Sequence, residues 1–322
     1  MAINLLNIQP TKVSRDLSGY ITYIYGPGGA GKTTFGVAAP GALLLAFERG
    51  YNALPGVMAQ DITTWGQMKE VLRELKKPDV KAAFKTIIVD TVDIASVLCE
   101  KYICSQLGIE NIGDGGWSTN GWAKVKREWE QTFRTITMEG YAVIFISHSK
   151  DKTFKPKNAP EYNQIVPSCS TAYNEIVKNM ADIMGYIEVD GAQRKLILRS
   201  ADGSVDCKCR FKHIAPVINF SYQSLVDALN DAIDKEAAET NNQYVTSERV
   251  VTPTTQTYDY DALMAEFSDL AGSLMSQDQS NAPKITAIVD RFLGRGKKVS
   301  DTTPDQAEFI YLIIGDIKAE LM

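Results

Sequence analysis

Gly26, Pro27, Gly28, Gly29, Ala30, Gly31, Lys32 and Thr33 are the residues whose types and spacing do the most chemistry, and Thr34 follows them. Together they read G-x-x-x-x-G-K-T. Glycines let the backbone curl so that successive N–H groups point inward and cradle phosphate oxygens. Lys32 reaches the β- and γ-phosphates, and the Thr33 hydroxyl is placed to ligate Mg²⁺. The helix expected from Lys32 adds its positive N-terminal end. Ile21–Tyr25 just before the loop are β-branched or aromatic, so they read as a buried strand. Strand, glycine loop and helix in that order make a phosphate loop. The chain is expected to bind a nucleoside triphosphate, with ATP and Mg²⁺ as cofactors.

Other positions complete a candidate site. Thr86–Asp90 is an apolar strand with an acid at its carboxyl end. In phosphate-loop proteins such an aspartate holds Mg²⁺, usually through water. The plainer reading of Asp90 is a helix cap together with Thr91. No Asp-Glu pair is formed, because Thr91 and Val92 follow. Glu48, just past the apolar run Ala42–Phe47, is the available carboxylate to activate an attacking water. Its plainer reading is a solvated glutamate beside Arg49. His148 follows the apolar strand Tyr141–Ser147 and is either a hydrogen-bonding sensor of the γ-phosphate or a structural histidine.

Three stretches could meet a nucleic acid or a neighbouring subunit. Lys150–Ser170 reads as a long polar loop carrying Lys150, Lys152, Phe154, Lys155, Lys157 and Tyr162. Structureless segments of that length inside a domain are usually functional. Cations for the backbone and aromatics for stacking suit single-stranded DNA. A flexible charged surface loop is the plainer reading. Trp117 supplies a further aromatic in the glycine-rich stretch 109–122. In the strand expected over Val205–His213, Lys208, Arg210 and Lys212 alternate, which puts three cations on one face. That face is either solvated or poised for phosphate.

These residues need elements to hold them. The chain has 322 residues, 44% hydrophobic and 23% charged, which suits one large α/β domain plus a smaller unit. Strands alternate with helices expected over 61–77, 92–107, 124–138, 171–184 and 225–239, giving a mostly parallel, doubly wound sheet. A hairpin is expected around Gly191. Residues 1–238 form the expected core. Residues 239–259, rich in Thr, Asn, Gln and Ser, read as a linker. Residues 260–322 read as a small helical unit with three apolar stripes and the basic turn Gly294-Arg295-Gly296-Lys297-Lys298, suited to DNA or to a protein partner. The net charge of −5 excludes a globally basic nucleic-acid binder but not a local basic patch. No apolar run reaches the roughly 18 residues needed to span a bilayer, so no membrane partner is expected. The N-terminus shows no secretory signal, and five scattered cysteines suit a reducing cytoplasm. Cys207 and Cys209 read as core or interface residues. With only two histidines, a zinc centre is not expected.

The motifs at Gly26–Thr33, Ala46–Tyr51, Ile87–Thr91 and Phe145–Lys150 together resemble the RecA-like recombinase family. More closely, they resemble its short phage members, the Sak-type single-strand annealing ATPases; the resemblance covers about residues 8–235. It implies a RecA-like P-loop NTPase core with sheet order 5-1-4-3-2. Glu48 falls on the family's catalytic glutamate and His148 on its γ-phosphate sensor, which is generally glutamine. Gly113–Gly121 and Ser149–Ser170 fall on the DNA-channel loops. Arg210 and Lys212 fall where one subunit reaches the triphosphate of the next. The implied function is DNA-dependent ATP hydrolysis and strand annealing or pairing in phage recombination, by a protein self-associating into a filament or ring in the host cytoplasm. A single-strand-binding protein is a further expected partner. Two other readings remain open: a ring-forming DNA-packaging or helicase-loading ATPase, and a nucleotide-gated DNA-binding module that hydrolyses almost nothing.

Overall fold

The computed structural model describes residues 6, 8–114, 116–155, 160–241, 243–250 and 258–322. They fall into two compact units, 1–254 and 255–322. In the first, β1 (Ile21–Gly26) runs into α1 (Lys32–Val37), then β2 (Ala42–Ala46) and the short β3 (Ala59–Asp61). Next come α2 (Trp65–Glu74), β4 (Thr86–Asp90), α3 (Val92–Leu107) and α4 (Gly121–Met138). β5 (Ala142–Phe154) and β6 (Tyr162–Pro167) are followed by α5 (Thr171–Met180). The unit closes with β7 (Ile183–Asp190), β8 (Gln193–Ile197), β9 (Lys208–Cys209), β10 (Val217–Asn219) and α6 (Tyr222–Glu239).

The sheet runs β10-β8-β7-β1-β5-β4-β2-β3, and its central strands are parallel. Numbering only the five principal parallel strands β1, β2, β4, β5 and β7 in chain order gives 5-1-4-3-2, the expected order. Strand alternation sorts the apolar residues into two cores. Tyr23, Tyr25, Val89, Val143 and Phe145 face α2 to α5, where Trp65, Trp129, Phe133 and Tyr173 pack. Ile24, Leu44, Ile88 and Ile144 face α1 and α6, against Phe35, Leu225 and Leu229. Burial on both faces explains why these strands read as unbroken apolar runs.

Four expectations are corrected here. Lys150–Ser170 is not a structureless loop. β5 is 13 residues long, and its second half leaves the sheet to pair antiparallel with β6, Ser149 opposite Pro167 and Phe154 opposite Tyr162. Residues 149–153 are all polar, so no polar–apolar alternation marked them as a strand. The strand expected over Val205–His213 shrinks to Lys208–Cys209 plus a bridge at Val205, because Phe211 turns away to pack with Tyr20. Residues 239–259 are not a linker throughout. Val245–Thr246 pairs in parallel with Val13–Ser14, the Ser14 hydroxyl donates to Glu248 O at 2.7 Å, and Arg249 Nε donates to Ser18 O at 3.0 Å. Arg249 Nη2 also donates to Lys85 O at 3.2 Å. One partly buried valine anchors a polar segment that composition alone marks as free. The glycine-rich stretch 109–122 is also partly helical, with one turn over Gly116–Thr119 before α4 begins.

The second unit comprises α7 (Tyr260–Gln277), α8 (Asn281–Leu293) and α9 (Ala307–Leu321). Leu274, Ile288, Ile310, Ile313 and Ile317 form its core. Arg291 is held by Glu320 at 2.7 Å and Asp316 at 3.4 Å, whereas Arg295, Lys297 and Lys298 are exposed.

Truncation tests the returning segment. A chain ending at residue 240 should melt about 5–10 °C below one ending at 254, since about 2–3 kcal/mol of ladder and charged hydrogen bonds is lost. Differential scanning calorimetry on the two chains reads this directly. Equal melting temperatures would mean that the 243–250 segment adds nothing.

Candidate nucleotide site

Parallel register assembles the site at the carboxyl edge of the sheet. Gly26 lies opposite His148, Ala46 opposite Asp90, and Asp90 opposite Ile146. Glu48 stands two residues past β2, and both Phe47 N and Glu48 N donate to Asp90 O, at 2.8 and 3.2 Å. Gly29 and Gly31 take φ of 72° and 91°, a region that glycine enters without steric cost. Those two turns wrap the loop over the start of α1.

Inside the loop, Lys32 is buried and its Nζ donates to Gly26 O at 2.9 Å and Pro27 O at 2.7 Å. Burial lowers its pKa, while Asp90, Glu48 and Asp93 act in the opposite sense. The Thr33 hydroxyl donates to Asp90 Oδ2 at 2.6 Å. Burial raises the Asp90 pKa, and the Thr33 hydrogen bond offsets part of that rise. A hydroxyl and a carboxylate this close supply hard oxygen donors, which fits Mg²⁺. The loop, Glu48, Gly50, Leu54, Asp90 and His148 line a cavity of about 370 Å³, within the size range of small-molecule sites.

Glu48 is half-buried rather than free in solvent. Its Oε1 accepts from the Thr91 hydroxyl at 2.6 Å, and its Oε2 lies 3.3 Å from His148 Nε2. Arg49 turns outward instead, 3.6 Å from Asp61. Thr91 and Asp93 make contacts to Glu48 and His148 that sequence reasoning missed. Thr91 caps α3 by position but makes no side-chain cap bond, because its hydroxyl serves Glu48. Asp93 accepts from His148 N at 3.4 Å and from the Ser168 hydroxyl, tying α3 to the base of the β5–β6 hairpin. Thr-x-Asp after an acidic strand end looks only like an ordinary helix start, so nothing local marked these roles.

The hairpin gathers some of the expected DNA-binding residues. Lys150, Lys152 and Phe154 alternate along β5 and share a face with Val166, Gln164 and Tyr162 opposite them. Phe154 and Tyr162 stack with centroids 5.2 Å apart and planes 11° apart, and Lys152 Nζ lies 4.7 Å from the Phe154 centroid. Lys150 Nζ donates to Ser168 O at 2.9 Å, and Lys155 pairs with Glu161 at 3.0 Å. Lys157 lies outside the described residues. Trp117 falls in the single helical turn before α4, in a different part of the chain.

Arg210 and Lys212 are not brought to this site. Arg210 lies 3.4 Å from Asp182, whose carboxylate accepts from Ile21 N at 2.9 Å, at the opposite end of β1 from Gly26. Lys212 pairs with Glu239 at 2.7 Å. Both are therefore far from their own chain's phosphate loop; Lys208 and Arg210 keep one common side, donating to Asn179 O at 3.3 and 3.2 Å, whereas Lys212 turns to Glu239. Near them, His213 Nε2 lies 3.3 Å from Glu236 and 3.1 Å from Glu239.

Two substitutions separate binding from positioning. Lys32→Ala should weaken ATP binding about 100-fold or more in calorimetric titration. Thr91→Val should leave ATP affinity within about twofold, because the hydroxyl touches Glu48 rather than the loop, and should slow any hydrolysis about tenfold. Loss of affinity in Thr91→Val would show that the hydroxyl serves the ground state.

The sequence matches the AAA domain family over residues 18–211. It is similar to the SPbeta prophage-derived uncharacterized protein YorG of Bacillus subtilis (strain 168), 29% identical across 99% of this chain and 98% of that protein. A phosphate loop, an acidic strand end and a mostly parallel sheet agree with the family match. The chain belongs to the AAA domain family and carries a P-loop ATPase-type core.

Proposed function

We propose that this protein is an Mg²⁺-dependent ATPase that binds single-stranded DNA and promotes strand annealing or pairing in phage recombination. The prophage origin of its relative supports the setting. The observation that carries the reading is the continuity of β5. One strand holds His148 beside Gly26 and then extends as a hairpin displaying Lys150, Lys152, Phe154 and, across the pair, Tyr162. Cations meet the phosphodiester backbone and the aromatic rings meet bases, which is how single strands are held without sequence readout.

In the proposed reaction Lys32 and the loop N–H groups bind the β- and γ-phosphates. Thr33 and Asp90 hold Mg²⁺, which neutralises charge developing on the transferred phosphoryl group. Glu48, held by the Thr91 hydroxyl, takes the proton of the attacking water. His148 sits between Glu48 and the hairpin base, where it senses the γ-phosphate. Arg210 and Lys212, remote from their own loop, act on a neighbouring subunit in a filament or ring. The unit at 255–322 presents Arg295, Lys297 and Lys298 for DNA or a single-strand-binding protein.

Glu48→Gln should bind ATP normally and hydrolyse it about 100-fold more slowly or worse. A fully active variant would remove Glu48 as the base. The central experiment is hydrolysis by the full chain with no DNA, single-stranded DNA and duplex DNA. Stimulation by single strands alone is expected. Stimulation by duplex alone favours a packaging or helicase-loading motor, and negligible hydrolysis with ATP bound favours a gated binding module. Replacing Lys150 and Lys152 together by Ala should reduce the salt slope of single-strand affinity by about 1.4. Phe154→Ala should weaken that affinity by about 1–3 kcal/mol.

A further inference from the structure

The hairpin of β7 and β8 forms one wall of the phosphate loop. A Cβ built on Gly26 would fall 2.9 Å from Ile187 Cβ, so β7 packs directly on the loop's first glycine. Farther along, Val189 lies opposite Arg194, and Phe220 N donates to Arg194 O at 2.9 Å. The Arg194 backbone is therefore held on both edges. Its side chain reaches Gly31: a Cβ there would lie 3.3 Å from Arg194 Nη1 and 3.7 Å from Phe220 Cε1. Arg194 is exposed, and among the described residues no carboxylate pairs with it.

A lone guanidinium therefore sits at the rim of a cradle made of inward N–H groups and Lys32. The acids near Lys32 lie on the Glu48 and Asp90 side, so an anion placed between Lys32 and Arg194 meets positive charge from both. The sheet order decides which part of the nucleotide that is. Glu48, Asp90 and His148 stand on the β5, β4 and β2 side of β1, whereas Arg194 stands on the β7 and β8 side. The γ-phosphate and Mg²⁺ belong with Glu48, Thr33 and Asp90, so the opposite flank receives the α and β end. Aromatic groups continue that flank. Phe220 stacks on Phe35 at 5.2 Å, and Tyr222 meets Phe35 edge-on at 5.7 Å.

We infer that Arg194 is a nucleotide-binding residue that donates to α- and β-phosphate oxygens from the flank opposite Glu48, with the Phe220 ring beside it on the nucleoside side. The inference rests on the ATP-binding reading of the loop and adds a contact that the phosphate-loop motif does not contain.

The test is calorimetric titration of Mg²⁺-ATP and Mg²⁺-ADP into the full-length protein, its Arg194→Ala, Arg194→Lys and Lys32→Ala variants, with steady-state hydrolysis alongside. Arg194→Ala should weaken ATP and ADP by the same factor, about tenfold or more, since the contact does not involve the γ-phosphate. Its kcat at saturating ATP should stay within about twofold, so the effect appears in KM. Arg194→Lys should recover part of the affinity. Unchanged affinity for both nucleotides in Arg194→Ala overturns the inference. So does normal affinity with a collapsed kcat, which would make Arg194 a transition-state group. Wild-type protein that binds neither nucleotide overturns the ATP-binding reading itself. Wild-type binding that Lys32→Ala abolishes and Arg194→Ala leaves intact overturns only the role of Arg194. Unchanged circular dichroism and melting temperature in both Arg194 variants exclude misfolding as the cause.

Discussion

Parallel hydrogen-bond register between β1, β5, β4 and β2 is the constraint on which the site depends. It sets Gly26 beside His148 and Ala46 beside Asp90, so residues 26, 48, 90 and 148 meet although up to 122 positions separate them. A one-residue slip in β5 would send His148 to the other face and exchange the apolar sets of the two cores. The cores resist that slip. Val143 and Phe145 are wedged among aromatic side chains, while Ile144 and Ile146 meet the face covered by α1 and α6. Packing far from the phosphate loop therefore fixes the geometry within it.

Around this edge, polar side chains are joined rather than scattered. Thr33 touches Asp90, Thr91 touches Glu48, Glu48 lies beside His148, and Asp93 connects His148 to Ser168. Buried or half-buried polar groups are costly unless satisfied, and here each satisfies the next. The site can thus be pre-formed in the protein alone. Lys32 shows the same economy, since its ammonium rests on two loop carbonyls that a phosphate oxygen can replace.

Much of this was legible in the sequence because the signals were local. Ile21–Thr33 shows strand, glycine loop and helix start in one reading, and Asp90 ends an unmistakable apolar run. Sheet order required the family resemblance, because periodicity says which residues are buried but not which strands are neighbours. What escaped was set by distant partners. Thr91 and Asp93 look like helix-start residues until Glu48 and Ser168 are placed beside them. Arg194 is an unremarkable strand cation until the β7–β8 hairpin carries it onto Gly31. The polar segment around Val245 looks unstructured until Val13 accepts it as a ladder partner. Of the Lys208–Lys212 cations, Lys208 and Arg210 keep the side that alternation promised, while Lys212, beyond the end of the short strand, turns to Glu239.

The length of β5 has a mechanical consequence. Its outer half, from His148 to Phe154, spans about 20 Å at ~3.3 Å per residue. Paired with β6 and held at its middle, where the Tyr25 hydroxyl donates to Ile165 O at 3.0 Å and Asp206 N donates to the same oxygen at 2.9 Å, it behaves as a stiff beam whose free part runs from Asp151 to Phe154. The clamp lies beside the phosphate loop. A tilt of about 5° there, acting over the ~10 Å from Asp151 to Phe154, carries the aromatic pair by roughly 1 Å. A movement too small to disturb the hydrogen bonds around Glu48 thereby reaches the tip as about a quarter of the thickness of a stacked base.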